Sequence, residues 1–181
     1  MLKLLIIIPA YNEASNIERV VDNLIENYSQ YDYVIVNDGS SDDTRKICAN
    51  RKYNFLDLPI NVGLAGAIRA GIRYANYHGY DYAVQIDGDG QHEPKYIKDM
   101  LEKMETAQAD IVIGSRFKEE KKPNSMRMLG SRIISGAIKL TTGGKKIEDV
   151  TSGMRLFNKR MIKNFGYNMH YSPEPDTIAY L

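Results

Sequence analysis

Two carboxylates two residues apart, Asp87 and Asp89, stand in the run Asp87-Gly88-Asp89-Gly90-Gln91-His92, directly after the apolar stretch Tyr82-Ala83-Val84-Gln85-Ile86. Hard divalent cations such as Mg²⁺ or Mn²⁺ prefer oxygen ligands, and Mg²⁺ is usually held by one or two carboxylates together with substrate phosphates. Acids at the end of a buried strand therefore fit a cation shared with a nucleotide diphosphate. Glycines at 88 and 90 let the backbone turn sharply and come close to a ligand. Taken alone, an Asp-x-Asp pair equally describes a solvated loop, so the surrounding chain has to decide. His92, a single imidazole among oxygens, reads as a supporting or loop-packing residue.

The elements that must position these acids alternate in type. Short apolar runs followed by helical patterns predict βαβ units and a largely parallel sheet covered on both faces. Lys3 to Ile8 is the first strand, followed by a turn at Pro9 to Asn12 and a helix with a Ser15/Glu18 capping box and an apolar face of Ile17, Val20, Val21, Leu24, Ile25 and Tyr28. Tyr33 to Val36 is the second strand, and a second helix starts near Thr44. A third strand near Asn54 to Leu58 precedes a helix marked by Leu64, Ala67, Ile68, Gly71, Ile72 and Ala75. Beyond the acids, Pro94 opens a helix with Ile97, Met100, Leu101 and Met104 on its buried face, and Asp110 to Gly114 is another strand. Lys118 to Pro123 reads as a surface loop, Leu129 to Leu140 as a helix, Thr141 to Lys146 as a turn, Met154 to Phe157 as a short strand and Asn158 onward as a small helix.

Bulk composition narrows the class. At 181 residues with 43% hydrophobic content, the chain reads as one domain, 1–181, with enough apolar mass for a core. Lys+Arg 24 against Asp+Glu 23 leaves a formal net charge of +1, which argues against a nucleic-acid binder and makes any electrostatic recognition local. One cysteine, Cys48, excludes an internal disulfide and fits a reducing, cytoplasmic setting. The apolar start, residues 2–8, is too short for a signal peptide and meets Pro9, and no apolar stretch approaches the roughly 20 residues of a membrane span. The final residues, 178–181, read as the beginning of a helix, which predicts a chain shorter than its natural extent.

In an open parallel sheet, ligands bind beyond the carboxyl ends of the strands. The unusual loops fall there: Pro9-Ala10-Tyr11-Asn12-Glu13 after the first strand, Asn37-Asp38-Gly39-Ser40 after the second, Asn61-Val62-Gly63 after the third, and the paired acids after the fourth. Together "IPAYNE", "VNDGSSDDT", "NVGLAGA", "QIDGDGQHEP", "IVIGSR", "DVTSGMRLF" and "PEP" resemble, in order along nearly the whole chain, a family 2 glycosyltransferase of the GT-A fold. The branch they resemble most moves sugars from nucleotide donors to polyisoprenyl phosphates, the dolichyl-phosphate mannose synthase type.

That resemblance implies a Rossmann-like α/β fold and inverting transfer of a sugar from a UDP- or GDP-linked donor, with Mg²⁺ or Mn²⁺ as cofactor. By the same carry-over, Pro9, Tyr11, Glu13, Asp38, Gly63, Asp87 and Gly88 bind the nucleotide, and Asp87, Asp89 and Gln91 the metal, with Gln91 either a ligand or a support. A carboxylate at 38 suits hydrogen bonds from ribose hydroxyls or a base N–H, although Asp38 also fits a cap for the following helix. Gly63 and Gly66 fit either backbone approach to the nucleotide or helix packing on the sheet. Arg116 resembles the arginine that relatives aim at phosphate, and Arg127, Arg132, Ser152 and Arg155 would hold the acceptor; for Arg127 and Arg132 a solvated basic face fits equally. Asp149 is the candidate base, with Glu174 competing and Asp176 standing where many relatives carry glutamate. The acceptor implied is a polyprenyl phosphate, with a peripheral membrane contact through 129–140 at the cytoplasmic face and without the family's C-terminal extension. The alternatives are a saccharide acceptor or a nucleotide-sugar-binding module without turnover.

Overall fold

A computed structural model describes residues 2–90, 92–114 and 154–167. Six strands form one sheet: β1 (Leu4–Ala10), β2 (Asp32–Asp38), β3 (Phe55–Leu58), β4 (Tyr82–Gln85), β5 (Ile111–Ile113) and β6 (Arg155–Asn158), in the order β3-β2-β1-β4-β6-β5. The pairs β3–β2, β2–β1 and β1–β4 are parallel, and β6 runs antiparallel to both β4 and β5. The helices are α1 (Ile17–Asn27), α2 (Thr44–Asn50), α3 (Gly63–Tyr77), α4 (Ile97–Ala107, entered through a 3-10 turn at Pro94–Tyr96) and α5 (Lys159–Tyr167).

All seven residues of β1 are buried, so its side chains supply two cores by strand alternation. Leu4, Ile6 and Ile8 face α1, α2 and α4 through Ile17, Val21, Leu24, Cys48, Ile97, Met100 and Met104. Leu5 and Ile7 face α3 and α5 through Ala67, Ile68, Ile72, Met161, Ile162 and Phe165. The sheet is thus mostly parallel with helices on both faces, as the alternating pattern predicts. Cys48 is fully buried and its thiol is pushed up to about 11 by that burial, which makes it an inert packing residue. No helix among the described residues is long and apolar enough to cross a membrane.

Three local expectations change. β1 continues through Pro9 to Ala10, and the turn follows at Tyr11 and Asn12. Proline is tolerated there because the last β1–β4 pair is Ile7↔Gln85; beyond it β1 has a partner only in β2, and the missing N–H faces the open side. The Ser15/Glu18 capping box does not form. Asn16 is the N-cap residue of α1, and the Asn16 and Ile17 amides both donate to the Glu13 carbonyl at 2.9 Å. Ile25, expected on the buried face of α1, is 46% exposed. The loop at 118–123, the helix at 129–140 and the turn at 141–146 lie outside the described residues.

Gly71 is where α3 presses closest on the sheet. A Cβ built there would lie 2.3 Å from Ile7 Cγ2, a branched atom on a fully buried side chain. Gly71→Ala is expected to destabilise the fold by about 1–3 kcal/mol through overpacking. Urea denaturation measures this; an unchanged midpoint would contradict the tight α3–β1 contact.

Candidate functional site

The strand order reverses between β1 and β4, because the chain leaves β1 for β2 and β3 on one side and returns to β4 on the other. Loops leaving the carboxyl ends of two such strands diverge and leave a crevice. A cleft of about 480 Å³ opens there, lined by Pro9, Ala10, Tyr11, Glu13, Asp38, Asn61, Gly63, Leu64, Ala67, Asp87, Gly88 and Asp89. Every residue expected to bind the nucleotide lies in this lining, as do both described metal candidates.

Each cleft wall is held by hydrogen bonds between loops distant in sequence. Asn12, in the left-handed region at φ 57, accepts from the Ser41 amide at 2.9 Å, while its own amide donates to Ser40 Oγ at 3.0 Å. The Glu13 amide donates to Thr44 Oγ1 at 2.9 Å and the Ala14 amide to Asp42 Oδ2 at 3.0 Å. Asp42 Oδ1 in turn accepts the Thr44 amide at 2.9 Å and its hydroxyl at 2.6 Å. "PAYNE" and "DGSSDDT" therefore form one interlocked unit, with Tyr11 and Glu13 presented from it.

Asp38, 2% exposed, is the last residue of β2. Its Oδ1 accepts the amide of Val62, the residue at the N-cap of α3, at 2.8 Å. It does not cap α2; Asp42 takes the Thr44 amide there. Gly63 has φ +79 with nothing within 4 Å of a built Cβ, whereas a Cβ at Gly66 would meet Val62 Cγ2 at 2.6 Å, inside its own helical turn. Packing of α3 on the sheet falls to Gly71 instead, which leaves Gly63 as an open backbone position on the cleft.

On the β4 side, Gln85 Nε2 donates to Asp87 Oδ1 at 3.2 Å. The Asp87 amide donates to His92 Nδ1 at 3.3 Å, and the same nitrogen lies 3.3 Å from Asp87 Oδ2. His92 is 6% exposed and absent from the lining, so it packs against the turn as a support. The glycines of this turn answer to the protein itself. A Cβ at Gly88 would stand 3.0 Å from the Pro9 carbonyl oxygen and 3.4 Å from Glu13 Cγ, and one at Gly90 would stand 2.7 Å from Arg19 Nη1. Close approach is required as expected, but what approaches is the β1–α1 segment and the first turn of α1.

No group of three or more His, Cys, Asp or Glu among the described residues forms a ready-made cage. The donor set that is present, two carboxylates facing a cleft large enough for a diphosphate, fits Mg²⁺ or Mn²⁺, which take one or two protein carboxylates and complete their shell with phosphate and water. Arg155, expected at the acceptor, is 7% exposed, pairs directly with Gln85 in the neighbouring antiparallel strand and is absent from the cleft lining. Gln91, Arg116, Arg127, Arg132, Asp149, Ser152, Glu174 and Asp176 lie outside the described residues. Leu64 and Ala67, expected only as helix-face residues, line the cleft, Leu64 at 58% exposure; Gln85, expected only as part of a strand, supports Asp87 and had a signal, a polar residue in an apolar run two positions before that acid.

Known proteins resemble the chain along most of its length. The family model described as "Glycosyl transferase family 2" matches residues 5–166. UDP-N-acetylglucosamine–dolichyl-phosphate N-acetylglucosaminyltransferase of Methanococcus voltae is 33% identical over 178 residues, covering 87% of this chain and 70% of the relative. Undecaprenyl-phosphate mannosyltransferase of Micrococcus luteus is 31% identical over 166 residues, covering 86% of this chain and 66% of the relative. The crystal structure of glucosyl-3-phosphoglycerate synthase from Mycobacterium tuberculosis with Mn²⁺, UDP and glucosyl-3-phosphoglycerate aligns with a TM-score of 0.65 at 18% identity, over 88% of this chain and 57% of that one. The chain thus spans about two thirds of these curated relatives and just over half of that solved structure.

Burial pushes the Asp42 carboxyl up, but hydrogen bonds from Thr44 and from the Ala14 amide outweigh it and hold it below its ordinary 3.8. Its stabilisation is therefore present above the unfolded value and lost as pH falls through the lower, folded one. Asp42→Ala is expected to lose about 1–3 kcal/mol at neutral pH. The gap from wild type should persist down to pH 3.8 and narrow below it. Denaturant titrations over pH measure both, and a gap that stays constant into strong acid would contradict this role for Asp42.

Proposed function

The chain belongs to glycosyl transferase family 2, and from that premise we propose that it transfers a sugar from a nucleoside-diphosphate donor to a polyprenyl phosphate, with inversion at the sugar's anomeric carbon. The observation that carries the reading is the cleft at the β1/β4 divergence, which gathers Pro9, Tyr11, Glu13, Asp38, Gly63, Asp87, Gly88 and Asp89. Names of relatives that act on dolichyl and undecaprenyl phosphates support the acceptor class. An Mn²⁺ complex of a structural neighbour supports a divalent ion.

In this reading the base and ribose lie against Tyr11, Glu13, Asp38 and Gly63. Tyr11 and Leu64, 50% and 58% exposed, offer apolar surface to the base, and the carboxylates accept hydrogen bonds from hydroxyl or N–H donors. Asp87 and Asp89 would hold the metal, with Gln91 as a further oxygen ligand or a support. When bound, the divalent ion supplies Lewis-acid neutralisation of the departing diphosphate. The acceptor phosphate falls to Arg116, Arg127, Arg132 and Ser152 in this reading, guanidinium forks suiting an anionic phosphate; Arg155, expected with them, is 7% exposed and outside the cleft lining, and supports β6 beside Gln85 instead.

The acceptor oxygen attacks the anomeric carbon from the face opposite the leaving group. The bond from that carbon to the diphosphate oxygen breaks, and the electron pair leaves with the nucleoside diphosphate. A phosphate monoester, with a second pKa of about 6, is already an anionic nucleophile at neutral pH. Its orientation by arginines then matters more than proton removal, and Asp149 serves as base where the attacking oxygen still carries a proton.

Calorimetry with UDP and GDP in Mn²⁺ is expected to show binding that EDTA weakens, with Asp89→Ala giving the EDTA-like affinity and no transfer. Equal affinity with and without metal would contradict the ion's assignment. Incubation with radiolabelled donors and mixed acceptors, followed by organic extraction, is expected to carry the label into the lipid phase. Label in the aqueous saccharide fraction would assign a sugar acceptor instead, and no transfer from any donor would leave a binding module.

A further inference from the structure

Arg19 lies on the first turns of α1, exposed and absent from the cleft lining. Its Nη2 nonetheless donates to the backbone carbonyl of Asp89 at 3.0 Å, across 70 positions of sequence. The same nitrogen stands 3.5 Å from Asn16 Oδ1, and Asn16 Nδ2 donates to Glu13 Oε2 at 2.8 Å. A chain of polar contacts thus runs from Glu13, on one wall of the cleft, through Asn16 and Arg19 to the carbonyl of Asp89 on the other. The guanidinium also packs where a side chain at position 90 would be: a Cβ there would lie 2.7 and 2.8 Å from its two terminal nitrogens and 3.1 Å from Cζ. Gly90, at φ +79, is therefore both the hinge of the acidic turn and the gap that admits Arg19.

We propose that Arg19 is a positioning residue for the metal-binding turn: by holding the Asp89 carbonyl against α1 it fixes how far the Asp87 and Asp89 carboxylates stand from the Pro9–Glu13 wall. The inference rests on the nucleotide-and-metal reading of the cleft. Two effects of opposite sign meet at this residue. Its positive charge beside the acidic turn repels a divalent cation, and its hydrogen bond pre-organises the carboxylates that receive one. An exposed charge is largely screened by water and salt, whereas supports of metal ligands typically change affinity 10–100-fold when removed. Pre-organisation therefore outweighs repulsion, and truncating Arg19 lowers metal affinity although it makes the site more negative.

The test measures Mn²⁺ affinity of the full chain by paramagnetic resonance at saturating UDP, and in parallel UDP affinity in EDTA by calorimetry. Arg19→Ala is expected to weaken Mn²⁺ on the order of tenfold while changing metal-free UDP affinity less than twofold. Arg19→Lys keeps a donor and a charge but not the planar fork, so it should recover part of the loss. Gly90→Ala, which drives a methyl into the guanidinium, should reproduce it. Three outcomes would overturn the proposal: Mn²⁺ binding unchanged or tighter in Arg19→Ala, an equal loss of UDP affinity in EDTA, or no recovery by lysine. Wild-type protein that binds neither UDP nor Mn²⁺ would remove the functional reading itself, a result distinct from failure of the Arg19 variants alone.

Discussion

β1 is paired unequally on its two sides, and the site depends on that overhang. With β4 it pairs from Leu4↔Tyr82 to Ile7↔Gln85, and with β2 from Leu5↔Asp32 to Ala10↔Asn37. The apolar run 4–8 has no alternative but the middle of the sheet, since each of its side chains is buried on one face or the other. Its register on β2 then carries Pro9 and Ala10 two and three residues past the last β4 pair. The segment that follows is delivered between Asp38, where β2 ends, and Asp87, just beyond β4. Slipping β1 by one residue would exchange the two cores and lift the overhang away from both acids.

Around this overhang, the polar residues divide into those that hold the cleft and those that face it. Asn12, Ser40, Asp42 and Thr44 direct their hydrogen bonds to one another, to Ser41 and to the backbone of 12–14 and 41–44. Asp38 does both, with one oxygen on the Val62 amide while the residue lines the cleft. Asp87 is oriented from behind by Gln85 and His92. Carboxylates held this way are arranged before any ligand arrives, so less ordering remains to oppose binding.

The sheet and its covering helices were legible because strands buried on both faces read as unbroken apolar runs and the helices as amphipathic stripes. The cleft residues were legible because acids and glycines at the carboxyl ends of parallel strands have few structural uses in that number. What the sequence left hidden were contacts between segments far apart along the chain. Ser15 and Glu18 matched a capping pattern, yet the Glu13 carbonyl takes the first amides of α1, because the loop is already tied down by Thr44 and Asp42. Glycines 88 and 90 announced close approach without announcing that Pro9, Glu13 and Arg19 would be the approaching groups. Gly63 and Gly66, which fitted cleft and packing roles alike, could be told apart only when Val62 was found against one and open space against the other. The antiparallel insertion of β6 between β4 and β5 follows from tertiary pairing and has no local signature in four residues.

In the proposed reading the cleft between the β1 and β4 loops receives a nucleoside diphosphate with a divalent ion at Asp87 and Asp89. A crystal structure grown with UDP and Mn²⁺, with anomalous scattering recorded at the manganese edge, tests it most directly. One anomalous peak is expected within coordination distance of the Asp87–Asp89 turn and of the diphosphate oxygens, with the nucleoside between Tyr11 and Asp38. A nucleotide bound elsewhere on the molecule, or bound in the cleft with its manganese away from both acids, would contradict it.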